Sequence, residues 1–218
     1  VTAPTRRDFH AKLLRQPETE AKDVALAIEL FTKGSLNTFA KPTNVDTNSR
    51  ILCYDIRDLG KQLLPVGMLV VLDSVFNRIV RNRKLGRNTW VYIDEIYLLF
   101  QHEYSANFLF TLWKRVRKYG ACCTGLTQNV DDLLQSHTAR TMLANSEFLV
   151  MLNQASTDRA ELARLLNISD NQLSYITNVD FGRGLIKCGS AIVPFMDSFP
   201  KNHLYKLMST KPADLNAA

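Results

Sequence analysis

Cysteine and histidine are too few and too scattered to build a metal centre by spacing. Cys53, Cys122, Cys123 and Cys188 form no CxxC pair, and His10, His102, His137 and His203 lie far apart. Three of the cysteines fall inside apolar, strand-like runs, so they read as small core residues in a reducing compartment. Also missing is an uninterrupted apolar run of the roughly 18 to 20 residues that a membrane span needs. Val1 to Phe9 lacks the basic-then-apolar order of a signal peptide. Together these absences predict a chain that neither crosses a bilayer nor is exported.

Charge is modest as well: 22% of the 218 residues are charged, with a net charge of +6. That balance permits contact with nucleic acid or an anionic surface and establishes neither. Its one concentration is Arg78, Arg81, Arg83, Lys84 and Arg87, at the end of an expected helix where the dipole favours cations, so a solvated helix end accounts for it. A further absence bears directly on chemistry. No GxxxxGK[ST] occurs, and neither Gly34-Ser35 nor the stretch from Gly182 to Gly184 carries the following lysine. Without such a loop nothing cradles the β- and γ-phosphates of a nucleotide. Either the chain is the downstream part of a larger protein, or it is not an ATPase.

What is present is a 46% hydrophobic sequence long enough to bury a substantial core, organised around Thr89 to Phe100, TWVYIDEIYLLF. An aromatic and β-branched run ending in two acids has the composition of a buried strand delivering carboxylates to a sheet edge. In a nucleotide hydrolase of that kind Asp94 would hold Mg²⁺, directly or through water, and Glu95 would take a proton from the attacking water. The same residues suit a strand followed by a helix whose first turn prefers acids. Gln128 follows the next strand-like run, Ala121 to Thr127, and an amide there can hydrogen-bond both a lytic water and a γ-phosphate. Equally, Gln128 and Asn129 suit the start of a helix.

Along the chain, Thr5 to Arg15 and Glu18 to Lys33 read as helices separated by Pro17, with Val24, Ala27, Ile28 and Phe31 on one face and Gly34 as the closing cap. Residues 35–48 read as a loop or boundary. ILCYDI, Ile51 to Ile56, reads as a buried strand, and Asp58 to Arg83 as a long helix broken near Pro65 and Gly67. Tyr104 to Tyr119 is an amphipathic helix stopped by Gly120; helices follow from Val130 and over Thr138 to Asn145. Glu147 to Leu152 reads as a further strand, and Ser156 to Leu166 and Ser169 to Thr177 as helices opened by hydroxyl caps. Gly184 to Gly189 and Ala191 to Phe195 form an expected hairpin, and Asn202 to Met208 a last helix. Alternation of strand and helix from residue 50 to about 177 predicts an α/β fold, a parallel sheet with helices on both faces, whose ligands bind beyond the carboxyl ends of the strands.

FTKGSLNTFA, VYIDEIYLLF, RKYGACCTGLTQNVDDLL, MLANSEFLVMLNQASTDRAEL and GSAIVPFMDSFPKNHLYKLMSTKP, in that order, resemble the carboxyl-terminal half of the type IV secretion traffic ATPases of bacterial conjugative elements, which are akin to the FtsK/HerA ring motors. The resemblance implies a RecA-like ATPase core over residues 49–218 with a small helical insertion at residues 1–48. It implies ATP and Mg²⁺ as cofactors, a Walker A loop upstream of the insertion, and therefore a chain starting downstream of that loop. By the same resemblance Asp94 and Glu95 match the Walker B acids, and Gln128 the glutamine of the third motif. Arg117 stands in the RK-x-G segment, and Arg159, in STDRAEL, is similar to the position of an arginine finger. The implied protein is a hexamer that works with secretion-channel proteins at the inner face of the cell membrane and powers pilus assembly and DNA or protein export. The net charge and the cluster from Arg78 to Arg87 keep a second class open, a non-catalytic docking or nucleic-acid-binding module.

Overall fold

A computed structural model describes residues 4–128, 130–154 and 156–209. Asn129 and the side chain of Ser156, named above as a helix start and a helix cap, lie outside the described residues. The chain divides into two compact units, Val1–Val71 and Leu72–Ala218. This division falls inside a helix, whereas the functional boundary expected from the resemblance is at residue 48.

In the first unit, α1 (Arg6–Leu13) opens with a reciprocal cap: the Thr5 side chain accepts from the Asp8 N–H, and the Asp8 carboxylate accepts from the Thr5 N–H at 2.7 Å. The Thr5 N–H and the Thr5 hydroxyl, both donating to the Asp8 carboxylate, hold its carboxyl below the usual range. α2 (Thr19–Thr32) packs on α1 and on a 3-10 turn at Asn37–Ala40. Its inward stripe is Ala25, Ile28 and Thr32, while Val24 and Leu26 face outward. The expected face is therefore rotated, because small Ala25 and Thr32 let the backbones approach where Val24 would not. Arg7 Nε donates to the Thr32 carbonyl at 3.2 Å and closes the end of α2. Gly34 is not in the left-handed conformation expected of a cap; a Cβ there would lie 2.8 Å from the Leu30 carbonyl oxygen, so close approach explains the glycine.

Ile51 to Ile56 is not a strand. Asp55 Oδ1 accepts from the Arg57 N–H at 3.1 Å, and Asp46 Oδ1 from the Asn48 N–H at 2.8 Å. Local side-chain bonds of this type compete with ladder formation, and the Asp55 carboxylate, paired with Arg57, is held at about 2. After a 3-10 turn at Arg57–Leu59 comes α3 (Gly60–Lys84), which runs unbroken through Pro65. Pro65 stands close enough to the helix start to remove a single early hydrogen bond, and Gly67, inside the helix, leaves room for Leu59, whose Cδ1 a Cβ there would meet at 2.2 Å. Residues 57–84 form a helix long and apolar enough, by length and the composition of its apolar middle, to cross a membrane. This helix is the one candidate among the described residues to set beside the expectation of no membrane span. Asp73 interrupts the apolar run without ending the helix, since its carboxylate accepts from Asn77 one turn on at 3.0 Å. A core helix of a soluble protein passes the same test of length and composition.

The second unit carries the site. β1 (Thr89–Ile93) pairs in parallel with β2 (Ala121–Gly125), Thr89 opposite Ala121 and Ile93 opposite Gly125. The connection is a 3-10 turn at Ile96–Phe100, α4 (Glu103–Arg115) and a second 3-10 turn at Val116–Tyr119, stopped by Gly120 at φ 64°. The buried Ser105 hydroxyl lies within bonding distance of the Leu99 and His102 carbonyls, which fixes α4 against the first turn. α5 (Val130–Gln135) and α6 (His137–Ala144) lead to β3 (Phe148–Met151). Then come α7 (Ser156–Leu166), α8 (Asp170–Leu173) and the hairpin of β4 (Arg183–Cys188) and β5 (Ala191–Met196), turned over Gly189 at φ 58°. α9 (His203–Met208) is capped by Asn202.

The single parallel sheet is corrected to two sheets: a parallel pair β1-β2 and an antiparallel β3-β4-β5. β3 reads as a parallel-sheet strand by composition, but its ladder partner β4, the first strand of the hairpin, runs in the opposite sense. Nor is β1 buried on both faces, since Trp90 and Tyr92 are 65% and 67% exposed while the alternate residues face inward. Leu134, Met151, Leu162, Leu166, Ile176 and Leu185 form one apolar cluster that ties β3 and β4 to α5 and α7. Leu185 is fully buried at its centre, so Leu185→Ala should lower the unfolding free energy by roughly 2–5 kcal/mol, read as a reduced urea midpoint with an unchanged slope.

Candidate functional site

β1 ends at Ile93, and the chain does not continue as a strand because Leu126 clamps it from both sides. The Leu126 N–H donates to the Ile93 carbonyl at 2.8 Å, and the Leu126 carbonyl accepts from the Ile96 N–H at 2.9 Å. Asp94 and Glu95 are thus bulged out opposite a single residue of the neighbouring strand. Glu95 takes up the bend at φ 47°, ψ 49°, a left-handed conformation that costs a non-glycine residue of order 1–3 kcal/mol and persists only when its surroundings enforce it. The Asp94 carboxylate accepts from the Glu95 N–H at 3.1 Å and steadies the turn.

The two acids differ in setting. Asp94 is exposed, and its remaining oxygen lone pairs are available to a hard cation, for which carboxylate oxygen is a suitable donor. Glu95 is half-buried, and its Oε2 is buried with no hydrogen-bond partner among the described residues. An orphaned carboxylate oxygen at a strand end is the kind of group that a bound water or ligand satisfies. Gln128 is exposed and follows β2 at the same, carboxyl-terminal end of the parallel pair. Asp94 and Glu95 directly follow β1 and Gln128 comes three residues after β2, so all three follow the carboxyl-terminal end of the parallel pair.

The two arginines are placed differently. Arg117 is exposed in the 3-10 turn before β2, at the amino-terminal end of the pair. A five-residue strand spans about 16 Å, so Arg117 stands a strand length from the acids of its own chain. Arg159 is not a surface residue of α7. It is half-buried, on the stripe that also carries Leu162 and Leu166, and its Nε is buried without a hydrogen-bond partner among the described residues. Nearby on the same helix, Glu161 is engaged by Arg140 at 2.6 Å, and Arg140 Nε also donates to the Leu134 carbonyl. Cys123, inward-facing on β2, has its thiol pushed up to about 12 by burial and stays protonated at neutral pH. Among the described residues no cluster of His, Cys, Asp and Glu could hold a metal without help from a ligand.

Sequence reasoning passed over the residues that shape the bulge, namely Gly125, Leu126 and Ile96. Glycine at the end of a strand was a visible signal, but its reason lies across the ladder. A Cβ at Gly125 would come within 2.5 Å of Ile96 Cδ1.

Among solved structures, VirB4 of Thermoanaerobacter pseudethanolicus is similar to this chain at a TM-score of 0.75 and 22% identity; the match covers 91% of this chain and 55% of that one, so the chain spans about half the length of the protein it resembles. At that identity the likeness speaks for the fold. No curated protein sequence matches. The family model of the TraG P-loop domain matches residues 36–183, most of the chain, including both strands of the parallel pair and the acids, glutamine and arginines named above. The chain belongs to the TraG P-loop domain family and has the α/β fold of a P-loop nucleoside triphosphatase.

Proposed function

We propose that this chain is the carboxyl-terminal part of a conjugative transfer ATPase, which hydrolyses ATP to power type IV secretion, including pilus assembly and export of DNA or protein. The observation that supports the reading is that Asp94, Glu95 and Gln128 all follow the carboxyl ends of the parallel pair, with Glu95 Oε2 buried and without a hydrogen-bond partner among the described residues. On this reading Asp94 holds Mg²⁺, directly or through water, Glu95 accepts the proton of the attacking water, and Gln128 orients that water. ATP and Mg²⁺ are the cofactors. The carboxylates suit the metal, while the phosphate cradle comes from a Walker A loop outside these 218 residues. Such a loop is a strand-loop-helix unit, and both β2 and β3 have one edge without a ladder partner among the described residues, so a further strand has edges to pair with. Residues 1–48 form a helical insertion and residues 49–218 the RecA-like core.

Arg159 supplies positive charge to the γ-phosphate in the transition state. Arg117, a strand length from its own acids, reaches the site of a neighbouring subunit in a ring, a hexamer in the full-length protein. The protein works in the cytoplasm at the inner face of the membrane, held there by secretion-channel partners. The test is calorimetric. Residues 1–218 alone are expected to show no turnover and no micromolar affinity for ATP, whereas the protein extended upstream to a Walker A loop binds Mg-ATP. Micromolar binding by residues 1–218 alone would contradict the division of labour. The exposed Arg83, Lys84 and Arg87 favour a second reading, a docking or nucleic-acid-binding module; DNA binding that falls steeply with salt, in a protein that never binds ATP, would support it instead.

A further inference from the structure

We infer that Gly125 is a positioning residue for Glu95, acting through the Ile96 side chain. This inference rests on the assignment of Glu95 as the base. The bulge forces Ile96 back across β2, where its side chain is 5% exposed and lies directly over the α-carbon of Gly125. A Cβ at Gly125 would meet Ile96 Cδ1 at 2.5 Å, Cγ2 at 3.3 Å and Cβ at 3.4 Å, so a larger residue makes the buried Ile96 side chain turn its Cδ1 away and shifts the rest of it by a few tenths of an ångström. Gly125 is not among the residues with positive φ, so the requirement is for space and not for backbone freedom.

Ile96 is next in sequence to Glu95, and its N–H is the second half of the Leu126 clamp. Shifting Ile96 lengthens that hydrogen bond and releases the left-handed turn, which nothing in the intrinsic preference of glutamate would maintain. The carboxylate then swings with the backbone. Catalytic groups displaced by about 1 Å lose on the order of 100-fold in rate, whereas a nucleotide held mainly by other contacts loses little affinity. The four residues Gly125, Leu126, Ile96 and Glu95 thus form a single device: a bare α-carbon on one strand sets the aim of an acid on the next.

The experiment uses the protein extended to its Walker A loop and compares ATP hydrolysis by wild type, Gly125→Ala, Gly125→Ala with Ile96→Val, and Glu95→Gln. Gly125→Ala should lower kcat about tenfold or more with KM for ATP little changed. Ile96→Val removes Cδ1, the atom of closest approach, so the double variant should recover most of the lost kcat. Because a partly unfolded variant also loses apparent kcat at constant KM, each kcat is normalised to the fraction of protein that binds nucleotide, and the predicted loss is the one that survives this correction. Full activity of Gly125→Ala, or a double variant no better than the single, would overturn the inference while leaving Glu95 as base if Glu95→Gln is inactive. Full activity of Glu95→Gln would remove the assignment of the base and the inference with it.

Discussion

Glu95→Gln, in the protein extended upstream to its Walker A loop, should reduce ATP hydrolysis by at least about 100-fold while ATP is still bound. The substitution keeps the side chain's length and shape while it removes the negative charge and the capacity to accept a proton. Position is fixed here by backbone, since the left-handed turn and the two Leu126 hydrogen bonds do not depend on the carboxylate. The amide should therefore sit where the acid sat. Glu95 Oε2 is buried without a partner, so the amide nitrogen has no acceptor waiting at that point among the described residues, and a small loss of stability accompanies the loss of turnover. The informative pair of measurements is single-turnover hydrolysis and equilibrium nucleotide binding. A variant that binds and does not turn over assigns Glu95 to the chemical step; undiminished hydrolysis would sink the assignment of these acids.

Arg159→Ala should cost about 10³-fold in hydrolysis if its guanidinium meets charge developing on the γ-phosphate. Its setting makes a test of geometry possible. Half-buried on the inward stripe of α7, with an unpartnered Nε, Arg159 has less freedom to extend than an exposed residue such as Arg117. Mixing inactive Glu95→Gln subunits with inactive Arg159→Ala subunits separates the two ways in which it could act. If Arg159 serves a neighbour's site, some boundaries in the mixed ring join an intact acid to an intact arginine, and hydrolysis returns to a measurable fraction. If it serves its own site, mixing restores nothing. An Arg159→Ala protein with normal hydrolysis would show instead that the residue only fills space between α7 and its neighbours.

Much of the secondary structure was legible because it follows from local rules. The reciprocal cap of α1, the Gly120 stop, the Gly189 turn and the composition of TWVYI each set the structure of their own few residues. Ile51 to Ile56 was misread for a related reason: its apolar content looks like a strand, but Asp55 turns the backbone onto Arg57 before any partner strand is met. That the acids and the glutamine come at the same end of two strands could be expected from the order of elements alone, since a parallel connection through a helix brings successive carboxyl ends to the same side.

By itself, the sequence determined most of the helices and strands, and that Asp94 and Glu95 follow one strand and Gln128 the next; these properties are set by each residue's own backbone and side chain and by neighbours a turn or less away. Only the tertiary structure decided that β3 joins an antiparallel sheet, that Arg117 stands at the far end of the pair, that Arg159 faces inward, and that Glu95 is held in a left-handed turn by Leu126 and by the space over Gly125. Each of those outcomes depends on contact between residues distant in the chain, and such contacts are chosen by which surfaces pack together, a choice that no short window of sequence contains.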